Sequence, residues 1–383
     1  MPPMIERLLL GPGPSNVPHE AMVALLTPTL GHLDPDFLAS MRRVRERLQQ
    51  IFRTKNQHTL ALSGTGTSGM ETMLTNLVEP GDRVVAVVNG FFGGRGAEMA
   101  RRLGAEVVEV AAPWGRPIDP AEVERALAGG KTALLYFVHA ETSTGVRNDA
   151  AALAAAARRH GALALMDCVT SLGGIDVSID ALGVDAAFSG SQKCLGAPCG
   201  LAPITFGARA LARIEARKRP PPSIYFDLLW LEKYWGSEKS YHHTAPIQMV
   251  FALEEALRLV LDEGLERRFE RHAAAHRALA AGLAAMDFEL LPPEEARLPM
   301  LNAIVIPAGL DEVALRRRLL ATHAIEIGAG LGDLKGKVVR VGLMGRNATR
   351  SIVATFLAAF EESLRALGWK VAAGAGLAAA HAA

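Results

Sequence analysis

Apolar positions along this chain follow two alternating rhythms. Residues 36–52 place Phe37, Met41, Val44, Leu48 and Ile51 at three- and four-residue steps, the spacing that gathers side chains on one face of a helix. Short apolar runs then alternate with further helical patterns. The runs cover residues 59–62, 83–88, 106–110, 132–138, 163–166 and 186–188, each the length of a strand. Between them the clearest helices are 120–128 and 149–159, with Asp119 and Asn148 placed to cap them. Such alternation predicts an α/β fold, with a mostly parallel central sheet and helices on both faces. Residues 201–206 read as one more strand and 246–262 as a helix. The stretch 220–240, rich in Pro, Trp and Tyr, keeps no clean period and reads as an irregular connection.

Beyond Gly264 the rhythm thins. A long helix over 265–286 precedes strands near 302–306 and 338–341, with a helix over 311–323 between them. This predicts a smaller C-terminal α/β domain. The expected organisation is an arm over 1–18, a large domain over 19–263, a small domain over 264–372 and an Ala/Gly-rich tail over 373–383 that frays. The arm contains Gly11-Pro12-Gly13-Pro14, which suits neither a helix nor a strand interior, and it is expected to pack on a partner subunit.

In sheets of this kind ligands bind at the carboxyl ends of the strands, so the residues just after each run are the candidate site. The first run leads into Ser63-Gly64-Thr65-Gly66-Thr67-Ser68-Gly69 and then a helical pattern over 70–77. Glycines permit close approach and the amides of a helix start attract phosphate, although a plain turn would look the same. The spacing is neither that of a Walker loop nor that of a dinucleotide fingerprint. The second run leads to Phe91 and Phe92, in a chain with only 5% aromatic residues. One of these rings could stack on a planar ligand, with core packing as the alternative. The fourth run ends in the polar cluster from His139 to Gly145, and the fifth in Asp167. An acid at the edge of an apolar core needs hydrogen bonds or a cation, which a pyridinium nitrogen would supply; a helix-capping role would also suit it. The sixth run leads to Lys193, the only charged residue between Asp185 and Arg209. An ammonium crowded by small residues makes sense where imine formation removes its charge. Arg340, inside the apolar run 338–341, demands an anion, either an internal carboxylate or that of a substrate.

Composition narrows the classes further. A formal net charge of +1 over 383 residues leaves no electrostatic footprint for nucleic acid or an anionic membrane. Three cysteines are too few for a disulfide framework or a zinc site, which points to a reducing, cytoplasmic compartment. The adjacent His242 and His243 have no third ligand at useful spacing, so no metal is expected. The first residues lack the apolar core of a signal peptide, and no stretch approaches the length of a membrane span.

The motifs GPGPSN, SGTG before a helix, ETSTG, DCVTSLGG, SGSQKCLGAPCG, YHHT and KVVRVGLMGRNAT occur in this order. Together they resemble the class V aminotransferases, most closely the alanine:glyoxylate and serine:pyruvate branch, over nearly the whole chain short of the tail. The resemblance implies a fold-type I pyridoxal phosphate-dependent transferase, a homodimer whose active sites are shared between subunits. Lys193 then matches the Schiff-base lysine, and Asp167 the acid that pairs with the pyridinium nitrogen. Phe92 matches the stacking ring, where mammalian-type enzymes carry tryptophan. Thr65, Gly66 and Thr67 match the phosphate loop, Thr67 standing where those enzymes carry histidine. Gln192 matches a further phosphate-side contact and Thr142 a hydroxyl near the cofactor oxygen. Tyr241 and Thr244 match residues that reach the phosphate from the partner, and Arg340 matches the arginine that binds the substrate carboxylate. The implied reaction is a ping-pong transfer from alanine or serine to glyoxylate or pyruvate. Alternatives are a ureidoglycine- or phosphonate-type transaminase, another class V lyase, or a non-catalytic protein that binds the cofactor. A desulfurase needs a mobile cysteine well beyond the lysine, and none follows Cys199.

Overall fold

The computed structural model describes residues 5–383, so the first four residues of the expected arm lie outside the described residues. Helix Pro35–Phe52 starts where Asp34 accepts from the Asp36 amide, and it buries the stripe of Phe37, Met41, Val44, Leu48 and Ile51. Behind it stand seven strands: β1 (His58–Ser63), β2 (Arg83–Val88), β3 (Glu106–Ala111), β4 (Leu134–Val138), β5 (Leu163–Asp167), β6 (Ala186–Phe188) and β7 (Leu201–Phe206). Their order across the sheet is β1-β7-β6-β5-β4-β2-β3. Every pairing from β6 to β3 is parallel, and only β7 runs against its neighbours β6 and β1. Six strands therefore end at one edge. Both β4 and β5 are buried along their whole length, which is why their sequences are unbroken apolar runs rather than alternating ones.

Two local expectations change. Helix Ala150–Arg159 is capped by Asp149, which accepts from the Ala152 amide, and not by Asn148. Asn148 turns inward, donates to the Val138 carbonyl at 2.8 Å and pairs with Asn89. An amide carries both donors and an acceptor, so it can satisfy the buried ends of two strands where a carboxylate could not. The segment expected to be irregular contains helix Leu228–Trp235, capped by Asp227 and burying Leu228, Leu231, Tyr234 and Trp235. Eight residues are too few for its period to stand out among the flanking prolines and loops.

A second set of buried apolar residues surrounds strands Leu301–Val305 and Val338–Gly342, which pair antiparallel and are joined by Gly328–Ala329. Helices Leu265–Ala284, Glu312–His323 and Arg350–Ala366 pack on this sheet. The arm is anchored there too. Leu8–Leu9 pairs in parallel with Ile325–Glu326, and the Leu10 carbonyl accepts from the Gly342 amide at 2.8 Å. No helix among the described residues is long and apolar enough to cross a membrane.

The tail is helical from Ala375 to Ala382 and docks on helix Leu265–Ala284, in contrast to the fraying expected of its composition. Its glycine and alanines bring the two backbones close. A Cβ on Gly282 would stand 2.9 Å from the Gly376 carbonyl and 2.4 Å from a Leu357 methyl. Gly374 adds a cap, its amide donating to the Glu361 carboxylate at 3.0 Å. Alanine at 282 would gain about 1 kcal/mol of helix propensity, which masks part of a clash, so valine is the sharper probe. Gly282→Val is expected to cost roughly 1–3 kcal/mol by overpacking, read as a lower urea midpoint. Unchanged stability would show that the tail does not dock.

Candidate active site

Strand register builds the floor of the site. Val138 pairs with Asp167 and Asp167 with Phe188, so the last residues of β4, β5 and β6 stand side by side at the carboxyl edge. With Met70 and Val169 they line a cavity of about 140 Å³.

The loop after β1 forms one wall. Thr65, extended, precedes helix Gly66–Leu77 and makes no side-chain cap, leaving the first amides of the helix for a ligand. Gly64 has a φ of +145°, and a Cβ there would lie 2.2 Å from the Ser68 hydroxyl, so the tight turn requires glycine. Thr65, Gly66 and Thr67 all line the cavity. Opposite them, Phe92 projects its ring from the first turn of helix Phe91–Arg102.

Two ionisable groups, Asp167 and Lys193, line this space, and Arg340 stands behind the lining residue Thr142. Asp167 is 3% exposed, and its side chain accepts from the Val169 amide at 2.9 Å. Burial raises its pKa to about 7, and the Lys193 charge opposes that only in part. Lys193 is itself lowered to about 8, first by burial and then by the positive Arg340. Its Nζ donates to the Pro12 carbonyl of the arm. The arm fits this closely because Gly13, at φ +101°, lies where a Cβ would stand 2.6 Å from Nζ. Ser15 fixes the arm to the same turn, its amide donating to the Gln192 carbonyl and its hydroxyl to the Lys193 carbonyl, both at 3.0 Å. The arm therefore packs on the lysine of its own chain.

Arg340, 5% exposed, donates to the Ala329 carbonyl at 2.8 Å and to the Thr142 carbonyl at 3.1 Å. Of its two expected partners, no internal carboxylate lies within ion-pair distance among the described residues, and burial lowers its pKa to about 10. Thr142 lines the cavity with its hydroxyl 2.5 Å from that of Thr170. Gln192 lines it as well, and its Oε1 is buried without a hydrogen-bond partner.

Tyr241 and Thr244 are exposed and stand outside the cavity lining. Tyr241 rests edge-on against His32 at 5.1 Å. The neighbouring histidines bond each other at 2.7 Å, and His243 bonds the Ser63 hydroxyl at 2.6 Å. The lining residues Met70, Val138, Val169 and Phe188 were not picked out in the sequence. Val138 and Phe188 close two of the predicted strands, so the carboxyl-edge rule could have named them.

The donors fit a planar, phosphate-bearing aromatic aldehyde. The uncapped helix start suits a dianion, Phe92 the ring face, and Asp167 a ring cation. Gln192 offers a free amide, and Lys193 an amine poised to lose its proton.

Matched by the family's model over residues 19–352, the chain belongs to the class V aminotransferases. Among its relatives, (S)-ureidoglycine–glyoxylate transaminase of Bacillus subtilis is 38% identical, over 98% of this chain and 94% of that protein. Alanine–glyoxylate aminotransferase of Drosophila melanogaster is also 38% identical, over 94% of this chain and 93% of the other. The solved structure of alanine–glyoxylate aminotransferase from Nostoc sp. superposes with a TM-score of 0.93 at 45% identity, covering 95% of this chain and 97% of that one. The fold is that of the fold-type I transferases, and the cofactor is pyridoxal phosphate.

The lowered lysine pKa gives a direct measurement on the cofactor-free protein. Acetic anhydride labelling of the Lys193 peptide is expected to rise with a midpoint near pH 8, well below the ordinary 10.5. Removing the neighbouring positive charge with Arg340→Gln moves that midpoint upward. A midpoint at the ordinary lysine value would remove the basis for a poised amine.

Proposed function

We propose that the chain is a ping-pong aminotransferase that takes the amino group of alanine or serine and delivers it to glyoxylate or pyruvate. The observation that carries this reading is a buried Arg340 with no ion-paired carboxylate, bonded to the cavity-lining Thr142 and close enough to Lys193 for its charge to lower the lysine's pKa. Arg340 would take the donor's carboxylate in its planar fork and so aim the α carbon. Lys193, with its pKa near 8, is neutral in part at physiological pH and would accept the α proton at Nζ. Asp167 would hold a proton at the ring nitrogen, because a buried carboxylate with one backbone donor gains most from a cationic partner. Pyridoxal phosphate, when bound, supplies the carbonyl that receives the amino group and a ring that spreads the electrons left at the α carbon. Thr65, Gly66, Thr67 and Gln192 would hold the phosphate end, Phe92 would cover the ring face, and Thr142 would meet a ring oxygen. The small cavity, with no arginine in its lining and Arg340 alone bonded to it through Thr142, favours donors without a distal carboxylate.

The same reading makes the protein a homodimer in which Tyr241 and Thr244 reach the phosphate of the other subunit. Supporting this, Tyr241 is 59% exposed next to His242, which touches Ile224 and Tyr225, themselves 67% and 39% exposed, an apolar surface suited to a partner. A second reading, (S)-ureidoglycine as the donor, is favoured by the 38% identity to the Bacillus enzyme.

A donor-by-acceptor screen separates the two. Alanine or serine with glyoxylate is expected to yield glycine, and Arg340→Leu to raise the donor KM roughly 30-fold or more, the cost of losing a buried charge partner. Transfer from (S)-ureidoglycine alone would select the second reading. No transfer from any of the three would contradict both.

A further inference from the structure

Glu141 is fully buried, yet all its hydrogen bonds come from uncharged donors. Its Oε2 accepts from the amides of Phe92 and Gly93, each at 3.2 Å. Its Oε1 accepts from the Ser143 amide at 3.1 Å and the Ser143 hydroxyl at 2.6 Å. That hydroxyl in turn accepts from the Phe91 amide at 2.9 Å. Three successive amides at the start of helix Phe91–Arg102 thus end on one carboxylate and its serine, at the pole where a negative charge is most stabilising. Burial raises the proton affinity of Glu141, while these donors lower it.

The surroundings leave this contact no slack. A Cβ on Gly90 would stand 2.3 Å from Glu141 Cγ, so the chain at 90 must lack a side chain for the carboxylate to reach the helix. From the other side the Tyr136 hydroxyl donates to the Phe92 carbonyl at 3.2 Å. Phe92 is therefore held at both its amide and its carbonyl. Glu141 is also joined covalently to Thr142, whose carbonyl receives Arg340 at 3.1 Å and whose hydroxyl bonds Thr170. One residue thus links the helix that carries the ring to the carbonyl that holds the guanidinium.

We infer that Glu141 is a positioning residue that sets Phe92 against the bound cofactor ring and Arg340 against the donor's carboxylate. This rests on the aminotransferase reading above. Glutamine at 141 keeps the shape but removes the charge and turns an N–H₂ toward donors, leaving at least one amide unsatisfied.

The test uses the holoenzyme and the variants Glu141→Gln and Ser143→Ala, with visible circular dichroism of the bound pyridoxal phosphate reporting how firmly its ring is oriented. Glu141→Gln is expected to bind pyridoxal phosphate roughly tenfold or more weakly, to lose visible dichroism per bound cofactor and to raise the alanine KM more than it lowers kcat. Ser143→Ala, which removes two of the same contacts, is expected to shift each quantity the same way by less. A purely structural role would lower the melting temperature and leave the dichroism of the bound cofactor intact, which overturns the inference. So does a folded Glu141→Gln with affinity, dichroism and KM unchanged, or, if that variant fails to fold, an unchanged Ser143→Ala. Wild-type protein that binds no pyridoxal phosphate overturns the underlying reading instead.

Discussion

Three ionisable side chains are buried in and beside one small cavity, and none of them forms an ion pair among the described residues; much of the molecule is arranged to make that tolerable. Lys193 is lowered to about 8, Asp167 raised to about 7 and Arg340 lowered to about 10, each chiefly by burial. A chain selected for stability alone would have paired or expelled them, because a desolvated charge is expensive. In the proposed function the partner charges come from a pyridoxal phosphate ring and an amino acid carboxylate. A parallel sheet suits the task, since it sets side chains from adjacent strands at one edge while its core stays apolar.

The distance between the lysine and the arginine is fixed from below. Arg268, buried in helix Leu265–Ala284, donates to the carbonyls of Gly173 and Cys194, the latter beside Lys193. Glu263 pairs with both Arg268 and Arg271 at 2.6 Å, and Arg271 donates to the carbonyls of Gly345 and Ala348 just beyond the strand that carries Arg340. His272 completes the bridge, its Nε2 accepting from the Gly345 amide at 3.2 Å and its Nδ1 donating to the Arg268 carbonyl at 2.8 Å. The arm closes the cleft from above, joined to Ile325–Glu326 at one end and to the Lys193 turn at the other.

The strands were legible because a strand buried inside the sheet writes itself as a short apolar run, and β2, β6 and β7 have the limits read from the sequence. From those limits the edge rule leads to Asp167, Lys193, Phe92 and the Thr65–Thr67 loop without coordinates. What escaped depended on contacts between segments far apart in sequence. Asn148 looks like a cap until its partner Asn89 is seen 2.9 Å away. The Ala/Gly tail looks disordered until Gly282 offers it a close-packing face. Glu141 opens the ETSTG motif, yet only the fold shows that its carboxylate meets the helix carrying Phe92. Tyr241 and Thr244 stand outside the cavity lining of their own chain, and a role for them came from the family resemblance alone, not from any pattern in the residues.

Whether Lys193 carries the cofactor can be read from the covalent record it leaves. Protein loaded with pyridoxal phosphate, reduced with borohydride and mapped by peptide mass is expected to carry one pyridoxyl group, on the peptide containing Lys193. A pyridoxyl group on any other lysine, or no stable adduct at all, would contradict the assignment of this buried amine.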